Sequence, residues 1–145
     1  MMDTSVAVTN DQIGFGSIFK AALIASLIAA VANVLLHFIG GALVGGIDVL
    51  TPEGGAYRPL PFVFVIIASV VPMLIAGVGL WIAKRFLPYG VRIFQGVAVL
   101  VTLLSLAGPF SNQVATLGAG IVLALMHFVE GGVMIWYLTL RGVSA

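Results

Sequence analysis

His127 and Glu130 stand three residues apart in the last apolar stretch of the chain, and positions i and i+3 share one face of a helix. An imidazole and a carboxyl so placed can meet each other or point together into one cavity. Their chemistry is proton exchange or the holding of a small ligand. A carboxyl inside a bilayer must keep its proton or find a cationic partner. The structural alternative is a satisfied network, His127 to Asn33 and Glu130 to Thr102 or Gln95, that fixes the order of the helices. Two histidines on different segments, His37 and His127, also invite a tetrapyrrole, haem or pigment, held in a helical bundle. There is no cysteine, so thiolate metal sites and thiol redox chemistry are excluded. Glycine pairs such as Gly77-Val78-Gly79 and Gly118-Ala119-Gly120 lie within apolar runs, where they serve packing and not phosphate binding. No catalytic serine, zinc, calcium or nucleotide motif is present, and the reading is non-enzymatic, with no cofactor required.

The elements that position these residues follow from composition. The 145 residues are 61% hydrophobic and only 8% charged, with a mean hydropathy of +1.23, far from the balance of a soluble domain. A transmembrane helix uses ~20 apolar residues, and the apolar positions suffice for four. The expected fold is all-α: one integral membrane domain, residues 1–145, as a four-transmembrane-helix antiparallel up-down bundle. Its helices run over about 18–39, 62–86, 91–107 and 116–140, with an outside loop at 41–61. Glycine and proline clusters mark the breaks between them. The first run is too long for a cleavable signal peptide, whose apolar region covers 7–15 residues. The six basic residues against five acidic ones offer no surface to nucleic acid.

Lys20, Lys84, Arg85, Arg92 and Arg141 fall at one end of this bundle and Arg58 alone at the other, which puts both termini and the middle turn in the cytoplasm. Trp81, Tyr89, Trp136 and Tyr137 mark the same boundary, as interfacial aromatics do. The expected location is the cytoplasmic membrane of a prokaryote, with the bilayer as the surrounding partner.

Helices in lipid pack through small and hydrogen-bonding residues, and such residues recur at spacings of three and four in every run. The stripes are Ala22, Ser26, Ala29, Asn33, His37 and Gly40; Ser69, Pro72, Ala76, Gly79 and Ala83; Gln95, Ala98, Thr102 and Ser105; and Thr116, Gly120, Leu123, His127, Glu130, Met134 and Tyr137. Counting about 1.5 Å per residue from the cytoplasmic ends puts Asn33 ~22 Å, His127 ~21 Å, Ser105 ~20 Å, Glu130 ~16 Å and Thr102 ~15 Å deep. These five form the expected polar core, while His37, at ~28 Å, is offset from His127. Pro72 removes a helical hydrogen bond, frees the carbonyl of Ala68 and is expected to bend the second helix.

Ala32-Asn33-Val34-Leu35-Leu36 with Gly40, Pro59-Leu60-Pro61, Val71-Pro72, Ser105 with Gly108-Pro109, and Leu125-Met126-His127 resemble the domain-of-unknown-function 6069 family, small four-helix membrane proteins of bacteria. The resemblance runs from about Phe19 to Leu140. It implies that Asn33, Pro72 and His127 are family positions, it does not extend to Glu130, and it supplies no reaction. Three functions are open to the sequence. The chain is a structural or accessory subunit, freestanding or beside other membrane subunits, or a small-ligand-binding bundle. It is alternatively a small transporter or proton-coupled carrier using His127 and Glu130, or a tetrapyrrole-binding subunit with one or two histidine ligands.

Overall fold

The computed structural model describes residues 14–51, 54–111 and 113–144. Residues 1–13, Pro52, Glu53, Asn112 and Ala145 lie outside them. The fold is all-α, with helices α1 (Phe15–Val44), α2 (Phe62–Phe86), α3 (Gly90–Ser105) and α4 (Leu117–Val133). A π-helical turn, Met134–Leu138, and a short helix α5 (Thr139–Ser144) continue α4. The chain is a small membrane protein: α1, α2 and the continuous stretch Leu117–Arg141 are long and apolar enough to cross a bilayer, and α3 is a shorter apolar helix.

α1 has 30 residues, about 45 Å of helix, and overruns the expected 18–39 at both ends. It stops where Gly45 takes the left-handed conformation (φ 82°) and its N–H bonds the Gly41 carbonyl, a glycine stop that residues with a Cβ resist. α2 begins after Pro61 and runs unbroken through Pro72. At the start of α4 the Thr116 hydroxyl caps the Ala119 N–H at 3.1 Å, satisfying one of the orphan donors of a helix N-terminus.

The expected outside loop is partly ordered. Its first residues belong to α1, and β1 (Asp48–Leu50) pairs antiparallel with β2 (Tyr57–Pro59). Val49 bridges Val114, Leu50 N–H bonds the Gln113 carbonyl at 2.9 Å, and Ala115 N–H bonds the Asp48 carbonyl at 3.0 Å. The connections on this side of the bundle are thereby tied together.

α1 is the central helix. It packs chiefly on α2 and then on α4, while α3 leans on α2 and α4. The seams close on glycines because backbones in lipid gain most from close approach. A Cβ at Gly77 of α2 would lie 2.6 Å from Ala22 of α1, one at Gly40 of α1 would lie 2.6 Å from Val122 of α4, and one at Gly118 would lie 3.0 Å from Val44. Val44 with Gly118, Gly40 with Val122 and Asn33 with Glu130 step along α1 and α4 in opposite directions, so this pair is antiparallel. α3 and α4 run antiparallel by the same test, Thr102 meeting Gly131 and Gln95 meeting Thr139.

Two apolar clusters fill the bundle. One lies toward the Lys84 end and contains Ile18, Ala21, Ala22, Ala25, Ala29, Met73, Leu80 and Leu138. The other, toward the ribbon, holds Ile47, Val65, Ala119, Val122 and Met126. The space between them is polar.

Candidate functional site

Asn33, Ser69 and Glu130 meet there from three helices. The Asn33 amide nitrogen Nδ2 donates to Ser69 Oγ at 2.9 Å and to Glu130 Oε2 at 3.4 Å. The Ser69 hydroxyl in turn bonds the Glu130 side chain. Asn33 and Ser69 are only 4% and 1% exposed. Two atoms of the cluster are left over: Asn33 Oδ1 and Glu130 Oε1 are buried and lack a hydrogen-bond partner. An unsatisfied buried polar atom costs ~1–3 kcal/mol.

These side chains form the floor of a cleft of about 310 Å³ between α2 and α4. Its walls are mostly apolar, Phe64, Val65 and Ala68 on one side and Leu123 and Met126 on the other, with His127 beside them and Leu60 at the rim. The volume lies at the small end of ligand pockets. His127 Nδ1 stands 2.7 Å from the Leu123 carbonyl. A carbonyl only accepts, so Nδ1 carries the hydrogen. Among the described residues His127 makes no bond to Ser69, and no three His, Asp or Glu side chains group closely enough to hold a metal ion.

The structure thus brings Asn33, His127 and Glu130 of the expected core together and sets Thr102 and Ser105 apart. Thr102 Oγ1 donates to the Ala98 carbonyl at 2.8 Å and Ser105 Oγ to the Thr102 carbonyl at 2.7 Å, each within α3. The reason is angular. Thr102 packs where Gly131 faces α3, and one residue turns a helix by about 100°, so neighbouring Glu130 looks the other way. Gln95 likewise serves Thr139 at 3.1 Å and not Glu130. Asn33 bonds Glu130 where the sequence suggested His127.

Ser69 is expected on a stripe with Pro72, Ala76, Gly79 and Ala83 and is not assigned to the polar core; α2 instead buries Ser69 along with Val65, Met73, Gly77, Leu80 and Ala83. Pro72 belongs to the adjoining face, outside the cleft, although Ala68, whose carbonyl it frees, lines the cleft. His37 is half-buried with Nδ1 unpartnered, and it stacks edge-on against Phe38 at 5.2 Å. The antiparallel register brings it level with His127 instead of offset. It is not a wall of the cleft.

A model described as a family of unknown function (DUF6069) matches residues 14–144. The chain belongs to this family. The match spans all four helices of this DUF6069 protein and includes every residue of the cleft. No curated protein and no solved structure matches the chain.

Proposed function

We propose that this is a non-enzymatic, four-span protein of a prokaryotic cytoplasmic membrane whose cleft holds a small amphiphile. Both termini and the α2–α3 turn face the cytoplasm in this reading, because the basic residues gather at that end. The carrying observation is the pair of unpartnered oxygens, Asn33 Oδ1 and Glu130 Oε1, in an otherwise apolar cleft. With His127 on the same cleft wall, they suit an apolar molecule bearing an ammonium, which supplies the cationic partner an ionised carboxyl inside a bilayer needs. α3, at 16 residues or about 24 Å, is short for a bilayer core of ~30 Å. The turn that follows it, with Phe110 exposed, completes the fourth crossing.

The test is to purify the protein from its native membranes and extract what it retains, with Asn33→Leu as the control. An amphiphile that accompanies the wild type at near one per chain and is lost from Asn33→Leu supports the reading. Equal, non-stoichiometric lipid in both defeats it.

A proton-coupled carrier is favoured by one observation, that His127 and Glu130 line the same cleft. It predicts proton flux in liposomes that disappears in Glu130→Gln. The alanine-rich cluster below the cleft, Ala22, Ala25 and Ala29 being fully buried, offers no passage to the other side and favours the binding reading.

A further inference from the structure

α2 and α3 diverge from their shared turn and leave a second furrow on the outside of the bundle. Its volume is about 480 Å³, and its walls are almost wholly apolar: Pro72, Ala76 and Gly79 from α2, Val97 and Val101 from α3, with Met134 behind them. From Pro72 to Ala83, α2 rises about 16 Å, close to the ~15 Å hydrocarbon depth of one leaflet. Phe94 reaches to within 3.9 Å of where a Cβ on Gly79 would stand. The helices therefore touch along the floor, and the furrow suits a flexible acyl chain better than a helix ~10–12 Å across.

At the Leu87 end the furrow passes into a basic recess. Leu87 lines both, and the recess adds Lys84, Tyr89 and Arg92. The Arg92 guanidinium lies 6.0 Å from the Tyr89 ring centre, which holds it over the turn. Neither wall contains an acidic residue. An apolar channel one leaflet deep that ends in two cations has the shape and the charge of a lipid with an anionic head.

We propose that the α2–α3 furrow binds one anionic phospholipid, its acyl chain between Pro72 and Val101 and its phosphate held by Lys84 and Arg92. The furrow lies further along the same side of α2 as the cleft, with Pro72 one helical turn past Ala68 and Met134 one turn past Glu130, and shares no lining residue with it. Clusters of Lys and Arg at a membrane face attract anionic headgroups, and the furrow adds a fixed seat for the chain.

The experiment is native mass spectrometry of the full chain in detergent with phosphatidylglycerol or phosphatidylcholine added. Two basic residues, each worth about fivefold, give the wild type a preference for phosphatidylglycerol of roughly 10- to 30-fold. Lys84→Gln with Arg92→Gln brings it near unity. Lys20→Gln with Arg141→Gln, basic residues away from the furrow, retains it. Val97→Trp fills the furrow from its exposed side and removes bound phosphatidylglycerol while gel filtration and helicity stay unchanged. Equal retention of both lipids by the wild type overturns the proposal, as does equal loss in the two charge variants or full retention in Val97→Trp. A photo-crosslinker at Val97 that captures a polypeptide in native membranes instead of lipid also overturns it.

Discussion

Asn33 of α1 and Ser69 of α2 are joined by a 2.9 Å hydrogen bond at a level of the bundle where three helices present polar side chains to each other. Interhelical hydrogen bonds in membranes are worth ~0.6 kcal/mol on average and up to ~1.7. Asn33 makes two of them with a single amide nitrogen.

Asn33→Leu is therefore expected to lower unfolding stability in detergent by about 1–2 kcal/mol, since Ser69 and Glu130 each lose a partner. Ser69→Ala should cost less. The double variant should fall short of the sum of the two, because both remove the same bond. Additivity would mean that the two residues act independently.

Glu130→Gln keeps an oxygen to accept from Asn33 and removes the ability to carry charge. Stability should stay within ~0.5 kcal/mol of wild type. A ligand with an ammonium head should be lost from the purified variant and one with a hydroxyl head retained. This variant thus reads the chemistry of the head group through mass spectrometry of what remains bound.

The α3–α4 seam is held by close approach. A Cβ on Gly131 would run into the Thr102 side chain, so Gly131→Ala is expected to destabilise by about 1–3 kcal/mol. Adding Thr102→Ala makes room and should restore much of the loss. The measurement is the unfolding midpoint of the single and double variants.

The α2–α3 turn carries two opposite constraints. Tyr89 sits at φ 57°, left-handed backbone that costs a residue with a Cβ roughly 1–2 kcal/mol, so Tyr89→Gly should raise the midpoint. Gly90 is already helical, but a Cβ there would collide with the Ala83 carbonyl and lie 2.8 Å from the Lys84 nitrogen. Gly90→Ala should lower the midpoint, because the peptide between Ala83 and Lys84 leaves the methyl no room.

Orientation is checked by fusions. Reporters placed after Ala145 and within residues 87–91 should read cytoplasmic, and one within 46–57 external. The reverse pattern would show that the positive charges face outward.

Legibility in the sequence followed helix geometry. The buried face of α1, from Ala22 through Ser26 and Ala29 to Asn33 and Gly40, could be read off because a central helix shows small residues to its neighbours along one continuous stripe. α2 has two such faces. Ser69, Met73 and Gly77 meet α1, while Pro72, Ala76 and Gly79 border the lipid furrow, and large Met73 and Leu80 hid the first behind the second. Depth counted from helix ends failed for His37 because α1 runs further than its partners. The π-helical turn, which brings Leu138 and Thr139 into the interior, left no mark in the residue pattern. Neither did the ribbon, whose Val49 also bridges Val114 of a distant connection.

That ribbon decides how anything reaches Glu130. Leu60, at the cleft's rim, is anchored by its N–H to the Ile47 carbonyl at 2.8 Å, and Ile47, Val65 and Met126 pack together beneath the strands. The strands and this cluster cover the end nearest them, so in the proposed binding reading the gap between α2 and α4 is the doorway. A molecule arriving there comes sideways out of the hydrocarbon. Its supply is set by how strongly it partitions into the bilayer and not by its concentration in the surrounding water, so the membrane itself is the first filter of selectivity.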